Sequence, residues 1–342
     1  MGRLLTRGLL ILALSAPGSF AAEPGFDVAR EDVQRFVTSM VEHHHFDRQE
    51  LNAILADAVY QQRIVEAMQR PAEKTMAWWE YRARFLTDER IDAGVQLLAD
   101  NRATLERIAQ DSGVPAEYLV AITGVETLYG RTTGRYRVLD ALTTLGFDYP
   151  PRGAFFRREL EQYLLMTREE ELDPRLPLGS YAGAMGIPQF MPSSFRSLAV
   201  DGSGDGKRNL WQTWPDVFAS IAHYFNEHGW RTGQPVLADA TTEDSPDDPA
   251  NARVALDETV ASLRKRGYRF ETRLPASAPA MLVPAALEQS MTWRVGFQNF
   301  FVITRYNRSP LYAMAVHDLA QAIAVRSAAN APAEGASLLP FQ

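Results

Sequence analysis

Glu126 is the residue in this chain best placed for acid–base chemistry. It lies near the end of an apolar segment, 116–128, in which Leu119, Ile122 and Glu126 recur at spacings of three and four. Residues at these spacings share one face of an α-helix, so a carboxyl group continues an apolar stripe. Burial favours the neutral acid and raises its pKa, as a general acid at neutral pH requires. Spacing alone leaves open the alternative that Glu126 turns to solvent at the helix end.

The loop 201–207 has the pattern of a cation site. Oxygen-bearing side chains stand at its first, third and fifth positions and a glycine at its sixth, which matches the first half of an EF-hand. Gln212 replaces the glutamate that usually follows at position twelve. The expected ligands are Asp201, Ser203, Asp205, the backbone carbonyl of Lys207, and Asp216. A structural Ca²⁺ is expected, with Na⁺ or Mg²⁺ as alternative ions and a plain Gly-Asp turn as the metal-free alternative.

Composition restricts the class of protein and of ligand. Of 342 residues, 46% are hydrophobic and 23% are charged, a balance typical of a globular chain rather than a disordered one. The net charge of −7 argues against a broad basic surface for nucleic acid. We therefore expect a neutral or mildly charged polymer as the ligand, and no nucleic acid.

The first 22 residues have the features of an export signal. A positively charged start precedes a short apolar run, 8–16, and small residues follow at Ala21 and Ala22. The run is shorter than the roughly 20 residues that span a bilayer. Cysteine is absent, which excludes disulfides, a thiol nucleophile and a lipid-bearing thiol near the cleavage site. The expectation is a soluble periplasmic protein without a transmembrane segment.

Periodicity divides the remaining chain into helical and extended parts. Helical spacing is expected in the segments 26–112, 116–128, 155–166, 214–228 and 311–323. Strands are expected at 268–272, 281–283 and 292–295. The polar segment 233–249 is interpreted as a domain boundary. The segment 327–342, rich in Ala and Pro, is expected to fray.

Several segments of the chain resemble the lytic transglycosylase B family. One surrounds Glu126 and reads Gly-Val-Glu-Thr-Leu-Tyr-Gly. The others are Ser-Tyr-Ala-Gly-Ala-Met-Gly at 180–186, Gln-Phe-Met-Pro-Ser-Ser at 189–194, Ile-Thr-Arg-Tyr-Asn at 303–307 and Tyr-Ala-Met-Ala-Val at 312–316. They follow one consistent order, and the likeness extends over 27–326.

The resemblance implies an activity and a set of substrate contacts. Family members cleave the β-1,4 bond between N-acetylmuramic acid and N-acetylglucosamine in peptidoglycan without water, leaving a 1,6-anhydro ring. Glu126 would be the single acid and base, and no organic cofactor is implied. The implied substrate-binding residues are Tyr81, Arg152, Ser180, Gln189, Phe190, Tyr224, Tyr306, Asn307 and Tyr312. The family often has two adjacent arginines where this chain has Pro151-Arg152.

The resemblance also implies a mainly α (α+β) fold: a lysozyme-like catalytic core with a flanking helical domain and a small β domain. The expected divisions are a signal peptide at 1–22, a helical domain at 23–114, the core at 115–233, the β domain at 234–292, a segment returning to the helical domain at 293–326, and a flexible tail at 327–342.

Two alternative functions stay open at the level of sequence. One is a hydrolytic muramidase, which would need a second carboxylate. The acids nearest in sequence are Asp111, Glu117, Asp140 and Asp148. The other is a peptidoglycan-binding scaffold without turnover.

Overall fold

The computed structural model of the chain describes residues 26–69, 76–242 and 253–330. The predicted export signal, 1–22, lies outside the described residues. Within the described part, helices dominate and the strands form two small sheets. The fold is therefore mainly α with a small β unit, as the sequence predicts.

The N-terminal region is a run of short helices. They are α1 (Glu31–His44), α2 (Arg48–Ala56), α3 (Gln62–Gln69), α4 (Trp78–Phe85), α5 (Asp88–Asp100) and α6 (Arg102–Ser112). Asp47 caps α2 by accepting a 2.8 Å hydrogen bond from the Glu50 amide, which satisfies one of the helix's unpaired N–H groups. Gly113, with φ of 71°, ends α6 and turns the chain toward the next helix.

A central helix, α7 (Ala116–Thr127), carries Glu126. Around it lie α8 (Val138–Asp148), α9 (Gly153–Glu169), α10 (Pro192–Leu198) and α11 (Trp214–Glu227), with β1 (Tyr136–Arg137) paired to β2 (Leu178–Gly179). Every residue of α7 from Tyr118 to Val125 is buried. The sequence predicted burial along one stripe of this helix only. In the structure nearly the whole helix is buried, because α5, α6, α11 and α14 pack against it.

The β unit lies between α11 and the C-terminal helices. It comprises β3 (Leu237–Thr242), β4 (Glu258–Thr259), α12 (Val260–Lys265), β5 (Tyr268–Arg269), β6 (Pro279–Ala286) and β7 (Met291–Gly296). The strand order is β4-β6-β7-β3-β5, with antiparallel pairs. A separate small core that includes Trp293 and Phe297 supports it.

Three expectations about this region are wrong in detail. The segment 233–249, interpreted as a boundary, contains β3. Its residues are held in the sheet by pairing with β7 and β5, which the pattern of the sequence does not reveal. β7 runs to Gly296, so a division at 292 would cut a strand. β5 ends at Arg269 rather than at 272, because its pairing with β3 covers two residues.

Two C-terminal helices complete the main core. They are α13 (Gln298–Tyr306) and α14 (Pro310–Asn330), and α14 packs against α7, α5 and α4. Residues 327–330 belong to α14, contrary to the expected fraying, because Ala328 and Ala329 favour continuation of the helix. The rest of the expected tail lies outside the described residues. In the described ranges, no helix is long and apolar enough to cross a membrane.

Candidate active site

Glu126 lies in the last turn of α7 and is half-buried. Directly after it the chain leaves the helix through Leu128, Tyr129 and Gly130, with φ angles of 50°, 59° and 81°. This left-handed turn ends the helix one residue after Glu126. The carboxyl group therefore lies at the end of a buried helix instead of along its side.

Tyr312 holds the carboxyl group of Glu126. The Tyr312 hydroxyl, from the first turn of α14, donates a 2.6 Å hydrogen bond to Oε1 of Glu126. Tyr312 is buried, and burial followed by the nearby Glu126 charge raises its pKa well above the ordinary value. The phenol therefore stays protonated and acts as a hydrogen-bond donor to the carboxyl group.

An aromatic cluster lies behind this pair. The ring of Tyr306 stacks on that of Tyr312 with centroids 6.4 Å apart, and Tyr224 lies 4.7 Å from Tyr306. Phe190 lies 5.6 Å from Tyr224 and 5.9 Å from Tyr306, beneath the cluster. Burial raises the pKa of Tyr224 to about 12, and the Glu126 charge acts in the same direction. Behind Tyr312, the environment of Glu126 therefore consists of uncharged aromatic side chains.

The tyrosine hydroxyls behind the site bond to backbone. Tyr224 donates to the Arg305 carbonyl at 2.7 Å, and Tyr306 donates to the Pro188 carbonyl at 2.8 Å. The first bond ties α11 to α13, and the second ties α13 to the turn before Gln189. Their rings thus help to build the site, and burial leaves little of Tyr224 exposed for stacking on a sugar.

Ser180 and Gln189 lie in the turns that flank the site. The Ser180 hydroxyl oxygen accepts hydrogen bonds from the amides of Ala182 and Ala184, at 3.3 Å and 3.0 Å. Gln189 has φ of 52°, and its Nε2 donates to the carbonyls of Gly186 and Thr133. The amide nitrogen of Gln189 therefore holds two backbone segments together, which the sequence did not predict.

The remaining predicted contacts are more dispersed. Tyr81, on α4, is buried, and its ring centroid lies 5.0 Å from that of Phe85. Asn307 directly follows α13 and is half-buried. Arg152 precedes α9, and its guanidinium lies 4.5 Å from the ring of Phe155. The structure thus gives Arg152 a contact with the first turn of the helix that follows it, outside the aromatic cluster.

The acids nearest to Glu126 in sequence are engaged elsewhere. Asp140 bonds to Arg137 and to the amide of Val59, and Asp148 bonds to Arg30. Asp111 pairs with Arg107 on α6. Glu117 lies nine residues earlier on α7, a rise of about 13 Å. That separation exceeds the roughly 5–9.5 Å between paired glycosidase carboxylates.

The loop between α10 and α11 gathers the predicted cation ligands. Carboxylate oxygens of Asp201, Asp205 and Asp216 lie within 4.8 Å of one another, although Asp216 belongs to α11. Asp216 is fully buried and accepts amide hydrogen bonds from Gly202, Ser203 and Asn209. The Ser203 hydroxyl donates to Asp201, and the Lys207 amide donates to Asp205. Asp201 also accepts from the amides of Gly204, Asp205 and Gly206, which fills its acceptor positions. Each carboxylate offers about four lone-pair directions, so free positions for a hard cation remain on Asp205 and Asp216.

A cavity of 440 Å³ opens beside the turn after Glu126. Gly130, Thr133, Leu178 and Trp211 are among the residues that line it. The sequence gave no sign of Leu178 or Trp211, because neither lies in a segment with a chemical pattern. Its lining also includes the polar residues Asp173 and Gln212.

The fold that carries this carboxyl group is that of the lysozyme-like lytic transglycosylases. The chain belongs to the family described as Transglycosylase SLT domain, whose model matches residues 28–321. It is a peptidoglycan lytic transglycosylase.

Individual relatives agree with the family. The chain is 39% identical over 325 residues to membrane-bound lytic murein transglycosylase B of Escherichia coli, covering 90% of this chain and 89% of that protein. The catenated lytic transglycosylase SltB1 from Pseudomonas aeruginosa is 45% identical with a TM-score of 0.83, covering 87% of this chain and 98% of that one.

Two further structures were determined with bound ligands. Escherichia coli Slt35 in complex with calcium is 38% identical with a TM-score of 0.81, covering 92% of this chain and 100% of that one. SltB3 from Pseudomonas aeruginosa, in complex with NAG-anhNAM-pentapeptide, is 28% identical with a TM-score of 0.75, covering 86% of this chain and 79% of that one.

Proposed function

We propose that this chain cleaves the β-1,4 bond between N-acetylmuramic acid and N-acetylglucosamine with Glu126 as its single acid and base. The observation that carries the proposal is the Tyr312 hydrogen bond to Glu126, together with the engagement of the neighbouring acids elsewhere.

The reaction has two steps. Glu126 first gives its proton to the glycosidic oxygen, the bond from that oxygen to the anomeric carbon breaks, and the substrate's acetamido oxygen stabilises the anomeric carbon. The Glu126 carboxylate then removes the proton of the muramyl 6-hydroxyl as that oxygen attacks the anomeric carbon. The products are a free sugar hydroxyl and a 1,6-anhydro ring, and the acid is restored without consuming water.

Two features support this proposal over hydrolysis. Three of the acids nearest to Glu126 in sequence, Asp140, Asp148 and Asp111, are engaged by arginines of other elements or of their own helix. A single-carboxylate site suits a substrate that supplies its own nucleophile. The relative SltB3 was also determined with an anhydro-muramyl ligand.

Mass spectrometry of purified peptidoglycan after digestion tests the proposal. Muropeptides lighter by one water than the hydrolytic products are expected. Reducing-end products would make the chain a muramidase with a second, unidentified carboxylate. Binding without cleavage would make it a scaffold.

We also propose that the loop between α10 and α11 binds a structural Ca²⁺. Asp201, Asp205 and Asp216 would hold it through carboxylate oxygens, with Ser203 and the Lys207 carbonyl completing the shell. The support is the cluster of hard oxygen donors and the calcium complex of the relative Slt35. The ion would link the loop to α11.

We propose that the chain acts in the periplasm after export. The pattern of its first 22 residues and a cell-wall substrate support this location. Fractionation of cells that produce the full chain tests it. A shortened product in the periplasm is expected, and an uncut chain in the cytoplasm would contradict the proposal.

A further inference from the structure

The turn after Glu126 is strained, since two of its residues are not glycine. Leu128 and Tyr129 both have positive φ, at 50° and 59°. Residues with a Cβ adopt this left-handed conformation only where their surroundings hold them in it. The contacts of Tyr129 keep the turn in this conformation.

The ring of Tyr129 fills a slot between α5 and α7. The slot exists because Gly94 and Gly124 lack side chains. A Cβ on Gly94 would lie 2.6 Å from the Tyr129 hydroxyl, and a Cβ on Gly124 would lie 2.7 Å from the ring. Both distances are shorter than any stable contact, so alanine at either position would displace the ring.

Tyr129 and Arg90 connect the end of α7 to α5 in both directions. The Tyr129 hydroxyl donates a 2.8 Å hydrogen bond to the Arg90 carbonyl. The Arg90 guanidinium in turn donates to the Gly124 carbonyl in the last turns of α7, and it lies 5.2 Å from the ring of Phe85. Among the described residues, the buried Nε of Arg90 has no hydrogen-bond partner.

We propose that Tyr129 is a positioning residue for Glu126. The turn follows Glu126 directly, and relaxing its left-handed residues would unwind or rotate the last turn of α7. Either movement would carry the Glu126 carboxyl group away from the Tyr312 hydroxyl. By anchoring the turn to Arg90, Tyr129 fixes the place from which the proton is delivered. This inference rests on the proposed role of Glu126.

The substitution Tyr129→Phe tests the inference against a matched control, Tyr163→Phe. Tyr163 is also buried, and its hydroxyl also donates to a backbone carbonyl, that of Pro174, at 2.7 Å. Both variants lose one hydrogen bond of the same kind, so each is expected to lower Tm by about 2–4 °C. Kinetics on soluble glycan strands well below Tm then separate the two roles.

For Tyr129→Phe we expect kcat to fall roughly tenfold or more with KM nearly unchanged, because misplacement of a catalytic group slows the chemical step. Tyr163→Phe is expected to keep both constants. Gly124→Ala, which closes the ring's slot, should reproduce the loss of kcat. Tyr129→Phe with wild-type kcat, or equal losses in both phenylalanine variants, would overturn the inference.

Glu126→Gln in the same assay separates the two proposals. If Glu126→Gln is inactive while Tyr129→Phe and Gly124→Ala are fully active, the positioning role fails and the proposed function stands. If Glu126→Gln is active, the proposed function itself fails.

Discussion

The hydroxyl of Tyr312 lies 2.6 Å from Oε1 of Glu126, although 186 residues separate them in the chain. One residue is near the end of α7 and the other is in the first turn of α14. The C-terminal helices therefore complete a site that begins in the central helix. The activity of the core depends on how α14 packs against α7.

Substitution of Glu126 is expected to abolish turnover and preserve the fold. The amide of Glu126→Gln cannot deliver a proton, so kcat should fall by at least about a hundredfold. Binding to purified peptidoglycan should persist. Release of soluble muropeptides is the measurement, with Glu117→Gln, at the other end of the same helix, as the active control. Turnover near wild type in Glu126→Gln would exclude this glutamate as the acid.

Removal of the Tyr312 hydroxyl is expected to slow the reaction without ending it. Tyr312→Phe loses one hydrogen bond to the carboxyl group, worth roughly 1–1.5 kcal/mol, so kcat should fall about tenfold. KM should change little, since the phenol is buried behind the acid. Tyr163→Phe serves again as the control for a lost buried hydroxyl. An unchanged kcat would show that the 2.6 Å contact does not orient the acid.

The loop 201–207 is expected to make the stability of the fold depend on calcium. Ca²⁺ at about 100 times its Kd should stabilise the wild-type fold by ~2.7 kcal/mol. Asp216→Asn removes the buried carboxylate of the cluster and should abolish this gain. Thermal unfolding with added calcium and with a chelator measures the effect, with the exposed Asp173→Asn as control. Identical Tm values of the wild type in both conditions would contradict a calcium site.

His317 is expected to make stability fall in mildly acidic solution. A 2.7 Å hydrogen bond joins its Nδ1 to the Tyr118 hydroxyl between α14 and α7. Burial lowers its pKa from 6.5 to about 4, with Asp318 and Asp239 opposing the shift and Arg294 adding to it. Between those values the unfolded chain binds more protons. Stability is thus fully present above pH 6.5 and declines toward pH 4, by up to about 3 kcal/mol.

Urea unfolding at a series of pH values measures this decline. His317→Gln should flatten the curve between pH 6.5 and 4, because glutamine does not titrate. His43→Gln, at an exposed histidine of α1, should leave the wild-type slope. An unchanged slope in His317→Gln would assign the acid sensitivity to other groups.

Much of the site's composition could be predicted from local sequence. The segment around Glu126 combined an apolar helix with an isolated acid, and the spacing of Asp201 and Asp205 specified a tight oxygen-lined loop. The positions of the tyrosines were available only through the family resemblance. The hydroxyls of Tyr224 and Tyr306 bond to backbone carbonyls, which no spacing pattern encodes.

The sequence by itself determined the helical character of the chain, the placement of Glu126 near a helix end and the oxygen-rich pattern of the loop 201–207, because each depends on residues within about a dozen positions. Tertiary packing alone decided that Tyr312 reaches Glu126 and that Asp140 turns away to Arg137. These contacts join distant elements, and their geometry follows from how buried helix faces fit together. The strained turn at Tyr129 is of the same kind, since the slot that holds it is formed by two different helices.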